Sequence, residues 1–216
     1  MDETIRNIAV YALPVLFAIT LHEAAHAYVA RYFGDNTAYA AGRMTLNPLV
    51  HIDLFGTIII PVVLYLTTGF VFGYAKPVPI EFSRLRNPKR NMAWVALAGP
   101  GANLIMALGW MSIWILLSAM HVQEAFPHKV AQAGIFVNLV IFAFNLLPIP
   151  PLDGGRVVTS LLPNRLAYKY ARIEPYGFFI VLGLIFLKVL SFWLVPVMAF
   201  GEIVVHLLTS PLRLLL

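Results

Sequence analysis

No cysteine occurs in the 216 residues, which excludes structural disulfides and every thiolate metal site. A transition metal in this chain could be held only by His and carboxylate side chains. Charge is almost as scarce. Asp, Glu, Lys and Arg make up 12% of the chain, roughly half the share usual in a soluble domain. Hydrophobic residues reach 60% and the mean hydropathy is +0.82. So apolar a chain cannot be wrapped in water and belongs in a bilayer. Four or five spans would consume more than half of it and leave no room for a soluble domain. Residues 1–216 are therefore expected to form a single integral membrane domain. A basic start is also missing: Asp2 and Glu3 precede the first apolar stretch, so that stretch reads as a retained helix and not as a signal peptide. The net charge of +5 is only a weak pointer to nucleic acid. In a membrane protein it marks cytoplasmic loops, so the expected partner is the lipid bilayer and no nucleic acid.

The first helix is expected from about Asn7 to Phe33, closed by Gly34, Asp35 and Asn36. No charged residue falls between Asp53 and Lys76, between Arg90 and Glu124, or between Lys129 and Asp153, and each gap can hold a span. Asn91–Met120 and Val130–Leu147 form an out-and-back hairpin. The segment from Pro175 to about Leu208 carries Lys188, Pro196 and Glu202 and reads as one kinked helix or two short pieces. The class is thus an all-α polytopic membrane protein with about four to six transmembrane or re-entrant segments. Lys76, Arg84, Arg86, Lys89 and Arg90 crowd one loop, and Arg156, Arg165, Lys169 and Arg172 another. Both loops read as cytoplasmic. With the N-terminus outside, a full span at Leu54–Ala75 would put the first of them on the wrong side, so a re-entrant course is open there.

Within the first helix stands His22-Glu23-Ala24-Ala25-His26, an H-E-x-x-H. Four residues turn about 400°, so the two histidines share a face one turn apart and can bind one Zn²⁺, with Glu23 beside the metal as a base. With six His and six Glu in the chain, chance would produce this motif with a probability of roughly 0.5%. The plain alternative is a polar trio bonded to neighbouring helices. Ionisable groups inside a bilayer are costly, which favours function. A catalytic zinc site needs a third protein ligand. Of the remaining His, Asp and Glu, the outstanding candidate is Asp153, which follows Pro148, Pro150 and Pro151 and precedes Gly154 and Gly155. The prolines should break the preceding helix and the glycines permit a tight turn at the end of a span. An ordinary turn with Asp as a cap is the bland reading.

Together, His22–His26 and the run from Asn145 through Gly154 resemble the site-2 protease family of intramembrane zinc metalloproteases. Ala98-Gly99-Pro100-Gly101-Ala102-Asn103 is similar to that family's G-P-x-x-N segment. The stretch from Gly42-Arg43 through His51-Ile52-Asp53 to Lys76-Pro77-Val78-Pro79 looks like its short bacterial branch. The resemblance covers roughly residues 15 to 165. It implies one Zn²⁺ held by His22, His26 and Asp153, Glu23 as catalytic base, and Asn145 holding the substrate peptide or the oxyanion. The implied substrates are membrane-anchored proteins, cut in or near their transmembrane segments in regulated intramembrane proteolysis. The implied place is the cell membrane, with the active site towards the cytoplasmic side.

Gly73–Pro79 is a candidate extended edge near the active site, because alternate prolines suit a sheet edge; a plain connector is equally open. His51 and Asp53 read as a solvated loop pair. Asn103 and Gly99-Pro100-Gly101 read as close helix packing. Glu202 and His206 repeat an i, i+4 spacing but read as an anchor or packing contact before a second metal site. Trp94, Trp110, Trp114 and Trp193 read as packing and interface residues. The rival class is a non-catalytic membrane metal-binding or transport protein, which would string ionisable residues along a path. Oligomeric state is not written in the sequence.

Overall fold

A computed structural model describes residues 3–60, 63 and 75–215. Seven helices of eight or more residues order the described chain: α1 Glu3–Tyr32, α2 Pro88–Ala119, α3 Ala125–Asn145, α4 Asp153–Leu161, α5 Asn164–Ala171, α6 Gly177–Phe186 and α7 Ser191–Leu215. No strand occurs among the described residues. Four helices are long and apolar enough to cross a membrane: Ile5–Tyr32, Pro88–Ala119, Ala125–Asn145 and Ser191–Arg213. The protein is therefore an all-α, multi-pass membrane protein.

Helix α1 ends where predicted, at a glycine: Gly34 takes φ 107°, a left-handed conformation that costs other residues a Cβ clash. The buried Asp35 then anchors the turn, accepting from the Thr37 and Glu81 amides at 2.9 and 2.7 Å. Leu54–Ile59 forms a π-type turn capped by Asp53, whose carboxylate accepts from the Gly56 amide at 2.7 Å. The remaining course of the segment read as possibly re-entrant lies largely outside the described residues, as do Gly73 and Tyr74.

Helices α2 and α3 form the expected hairpin. Glycine lets them touch: a Cβ on Gly134 would lie 2.3 Å from the Trp110 ring. Elsewhere the interfaces use alanine. Ala18, Ala27, Ala30, Ala107, Ala131 and Ala143 are fully buried, while Ile105, Phe179, Phe192 and Leu207 stand more than half exposed on the outside. Lipid tails are as apolar as leucine, so close van der Waals packing of small residues, not hydrophobic burial, holds such helices together. Trp114 packs against the Ala107–Met111–Val205 core, and the Trp193 indole donates to the Ala143 carbonyl at 2.9 Å. Those two tryptophans act in packing, as their sequence context predicts.

Two sequence expectations are corrected. The last segment, expected to be interrupted at both Lys188 and Pro196, breaks at Lys188, with φ 57°, and not at Pro196. Pro196 and Pro211 both lie inside the 25-residue α7, which makes that helix a full-length span. Gly154 and Gly155 do not form a tight turn; they occupy the first turn of α4. A Cβ there would lie 2.2 Å from the Leu146 carbonyl oxygen and 2.3 Å from the Pro150 nitrogen. Glycine is needed so that the start of α4 can press onto the Leu146–Pro150 backbone.

Gly134→Val should destabilise the hairpin by about 1–3 kcal/mol through overpacking against Trp110. Gly109→Ala, on the same hairpin with open space around it, should be neutral or stabilising. Thermal unfolding of the two variants in detergent checks the contrast.

Candidate metal centre

The sequence separates its ligand candidates by well over a hundred residues; the fold closes that gap. Helix α1 presents His22 and His26 from one face, with Nε2 atoms 3.1 Å apart. The prolines after α3 turn the chain back, and Asp153, the first residue of α4, puts Oδ2 at 3.2 and 3.3 Å from those nitrogens. All three residues are buried. Among the described residues this is the group of His, Asp and Glu placed to hold a metal ion.

Hydrogen bonds on the far side of each ring select the tautomer that its neutral form takes. His26 Nδ1 lies 2.7 Å from the Val95 carbonyl oxygen, which can only accept, so this nitrogen donates. His22 Nδ1 lies 2.7 Å from Asn103 Oδ1. The Asn103 amide nitrogen donates to the Ala18 carbonyl at 3.2 Å and to Asn138 Oδ1 at 3.0 Å, so its oxygen faces His22 and His22 Nδ1 donates as well. Asn138 in turn donates to the Gly134 carbonyl at 2.8 Å. With both protons on Nδ1, each neutral imidazole carries a lone pair on Nε2.

Two nitrogen lone pairs and a carboxylate oxygen therefore converge, and the buried Asp153 Oδ2 has no hydrogen-bond donor. Three acceptors without a donor repel one another; a cation between them removes the conflict. Tetrahedral zinc with bonds of about 2.0–2.1 Å sets its ligand atoms about 3.3–3.4 Å apart, close to the edges of this triangle. Helix α2 seals one side: a Cβ on Gly99 would lie 2.4 Å from His26 Nε2 and 2.6 Å from the His22 ring. The donor set and its surroundings fit a zinc ion.

A model of peptidase family M50 matches residues 121–188. The "Putative zinc metalloprotease YwhC" of Bacillus subtilis (strain 168) is 40% identical over 195 residues, covering 88% of this chain and 86% of the relative. The chain belongs to peptidase family M50. Another relative, the "Putative zinc metalloprotease Rip2" of Mycolicibacterium smegmatis, is 31% identical over 183 residues, or 82% of this chain and 67% of the relative. No solved structure matches. Membership of the M50 peptidases, the site-2 protease family, makes the chain a membrane zinc metalloendopeptidase.

Around the metal group this M50 peptidase departs from the sequence expectations in several places. Asn103 is fully buried and holds His22, so it is more than a packing residue; Asn138 had no sequence signal beyond being an amide in an apolar helix. His51 is not solvated. It is 1% exposed, its Nε2 donates to the Thr45 carbonyl at 3.0 Å, and its own carbonyl accepts from the Lys76 amide at 2.9 Å. Glu23 is half-buried, and its carboxylate accepts from the Val78 amide at 2.8 Å. Asn145 donates to the Ile141 carbonyl of its own helix at 3.0 Å, and no hydrogen bond joins it to the three-residue group. Glu202 and His206 make no second metal group: the Arg213 guanidinium donates to His206 Nδ1 at 2.8 Å, filling that lone pair.

Asn103→Ala should weaken zinc retention by about 10–100-fold, the usual effect of losing the partner of a metal-binding histidine. Competition against a chromogenic chelator measures it; unchanged affinity would separate the amide from the site.

Proposed function

We propose that this M50 peptidase hydrolyses peptide bonds in or near the transmembrane segments of membrane-anchored proteins. In this reading His22, His26 and Asp153 hold one zinc ion, Glu23 is the general base and Asn145 contacts the substrate or the oxyanion. The observation that carries the reading is the triangle of Nε2, Nε2 and Oδ2, buried among helices of membrane-spanning length with a glutamate one residue from a ligand.

Zinc bound there supplies Lewis-acid polarisation of a carbonyl and lowers the pKa of water towards about 7. Glu23 takes a proton from the attacking water and later gives it to the leaving amine. The water oxygen joins the carbonyl carbon, the C–N bond breaks, and a carboxyl and an amine result. His22 and His26 keep their Nδ1 protons on Asn103 and Val95, so neither ring competes as the base. Asn145 has a second amide hydrogen beyond the one given to Ile141, suited to an anionic oxygen.

Orientation and water access find support at one end of the bundle. Lys89 donates to the Leu162 carbonyl and to Asn164 Oδ1, so the two basic loops meet. Between them opens a cavity of about 470 Å³ lined by Lys89, Arg156, Val78, Pro150 and Pro151 among others. Val78 binds Glu23, and the prolines precede Asp153, so the cavity adjoins the reaction groups from the side that the positive-inside rule assigns to the cytoplasm. A cell-membrane protease open to the cytoplasm, built as one domain over residues 1–216, is consistent with this arrangement. The transporter alternative would need further ionisable residues along a path, and the other His–Glu pair is tied to Arg213.

The described part of the candidate edge, residues 75–79, has no helix or strand assigned. Two of its three amide donors turn inward, Lys76 to the His51 carbonyl and Val78 to Glu23. An incoming substrate backbone would have to compete for the Val78 donor.

Glu23→Gln should keep zinc and lose about 10²–10⁴-fold in cleavage of a model transmembrane substrate, the share typical of a general base. Asp153→Asn and His26→Ala should lose the metal, and chelation should abolish wild-type cleavage. A fully active Glu23→Gln protein would sink the assignment. Val78→Pro removes the donor to Glu23, whereas Val78→Ala keeps it. Cleavage of a long substrate should fall more than zinc retention in the first and little in the second; equal loss of metal and cleavage in Val78→Pro would count against a role in presenting substrate.

A further inference from the structure

Helix α7 carries its outward polar groups on one line. At 100° per residue, Val195, Ala199, Glu202, His206, Ser210 and Arg213 fall within about 80° of each other. Glu202 stands near the midpoint of this 25-residue, membrane-length helix. Its neighbour Gly201 packs against Leu139 and Phe142 of α3, and Val205 joins the buried core with Ala107 and Met111. Glu202 is therefore deep in the bundle's apolar zone and not at a rim. Yet its side chain is 61% exposed, and that of His206 42%.

Within one copy the groups are only partly matched. Arg213 donates to His206 Nδ1 at 2.8 Å, which leaves the His206 proton on Nε2, and this atom lies 3.6 Å from Glu202 Oε1. The relay is close to neutral in sum, but its outer face still offers acceptors and donors to hydrocarbon that can match neither. Ionisable side chains at such depth face protein or water. Arginine near a helix end can reach the interface along its own stem, whereas a glutamate at mid-helix cannot.

From this we infer that the α7 stripe is an interface between two copies of the chain in the membrane. The stripe is self-complementary, carrying an acid and a base one turn apart. A two-fold axis along the membrane normal keeps both copies in the same orientation. It sets Glu202 of each copy level with Glu202 of the other, with His206 of the other copy one turn (about 6 Å) further along the axis and on the same side, within reach of the long Glu202 side chain, so both cross pairs form at once. Ala199 and Ser210, small residues on either side of the pair, allow the helices to approach. This inference is independent of the proposed reaction.

The absence of cysteine makes the test direct, since any single Cys is the sole thiol. Ala199→Cys and Ser210→Cys proteins, oxidised in native membranes, should form covalent dimers of the 24.0 kDa chain. Phe200→Cys, exposed about 120° around α7 from the centre of the stripe, should remain monomeric. Adding Glu202→Leu to Ala199→Cys should reduce the dimer at least tenfold, with zinc retention reporting that the double variant is folded. The inference is overturned by monomers at both stripe positions, by equal crosslinking at Phe200→Cys, by a dimer unaffected by Glu202→Leu, or by a stripe crosslink to a different protein.

Discussion

Everything at the centre of this molecule depends on one rule of apolar media: a polar atom without water must find its partner in protein. The rule is met by a line of hydrogen bonds from the Gly134 carbonyl through Asn138 and Asn103 to His22. The line crosses from α3 through α2 to α1, tying together the three helices that the metal group needs. It also sets the His22 proton on Nδ1, and a single backbone carbonyl, that of Val95, does the same for His26. Helix cohesion and ligand chemistry thus rest on the same few bonds. An isolated asparagine in hydrocarbon would be a liability; two in series, each satisfied, are a scaffold.

Close approach is the second half of the design. Gly99 admits the two imidazoles against α2, Gly134 admits Trp110, and Gly154 and Gly155 admit the backbone that leads to Asp153. Each removes a side chain where helices or rings must nearly touch. Packing of this kind leaves little freedom to relax, so the positions of the three ligand atoms depend on the backbone more than on side-chain choice.

Three of the four spans were legible because length and apolarity suffice to mark a helix in a bilayer, and His22–His26 because a four-residue spacing on a helix has one geometric meaning. Asp153 could be nominated from its prolines, though not its place in the first turn of a helix. The support shell was not legible. Asn103 and Asn138 are uncharged, and nothing in a one-dimensional pattern distinguishes an amide that packs from one that holds a histidine 81 residues away. His51 looked solvated because loops usually are; its burial depends on chain segments that only the fold brings over it. Of the two interruptions expected in the last segment, Lys188 and Pro196, only Lys188 breaks it. A left-handed turn at Lys188 depends on where the next helix must pack, whereas Pro196 lies in a helix held by its neighbours.

The separation of the three candidate ligands along the chain has a consequence in time. Ribosomes add about 5–20 residues per second, so Asp153 is made roughly 6–25 s after His26. Until then the two histidines lack their third companion, and Glu23 lacks the amide of Val78 for part of the same interval. On the proposed assignment of these residues, a protease assembled in this order is inert while it is being inserted. Nascent membrane segments beside it, its own later helices included, pass through the most vulnerable stage of their synthesis before the blade is complete.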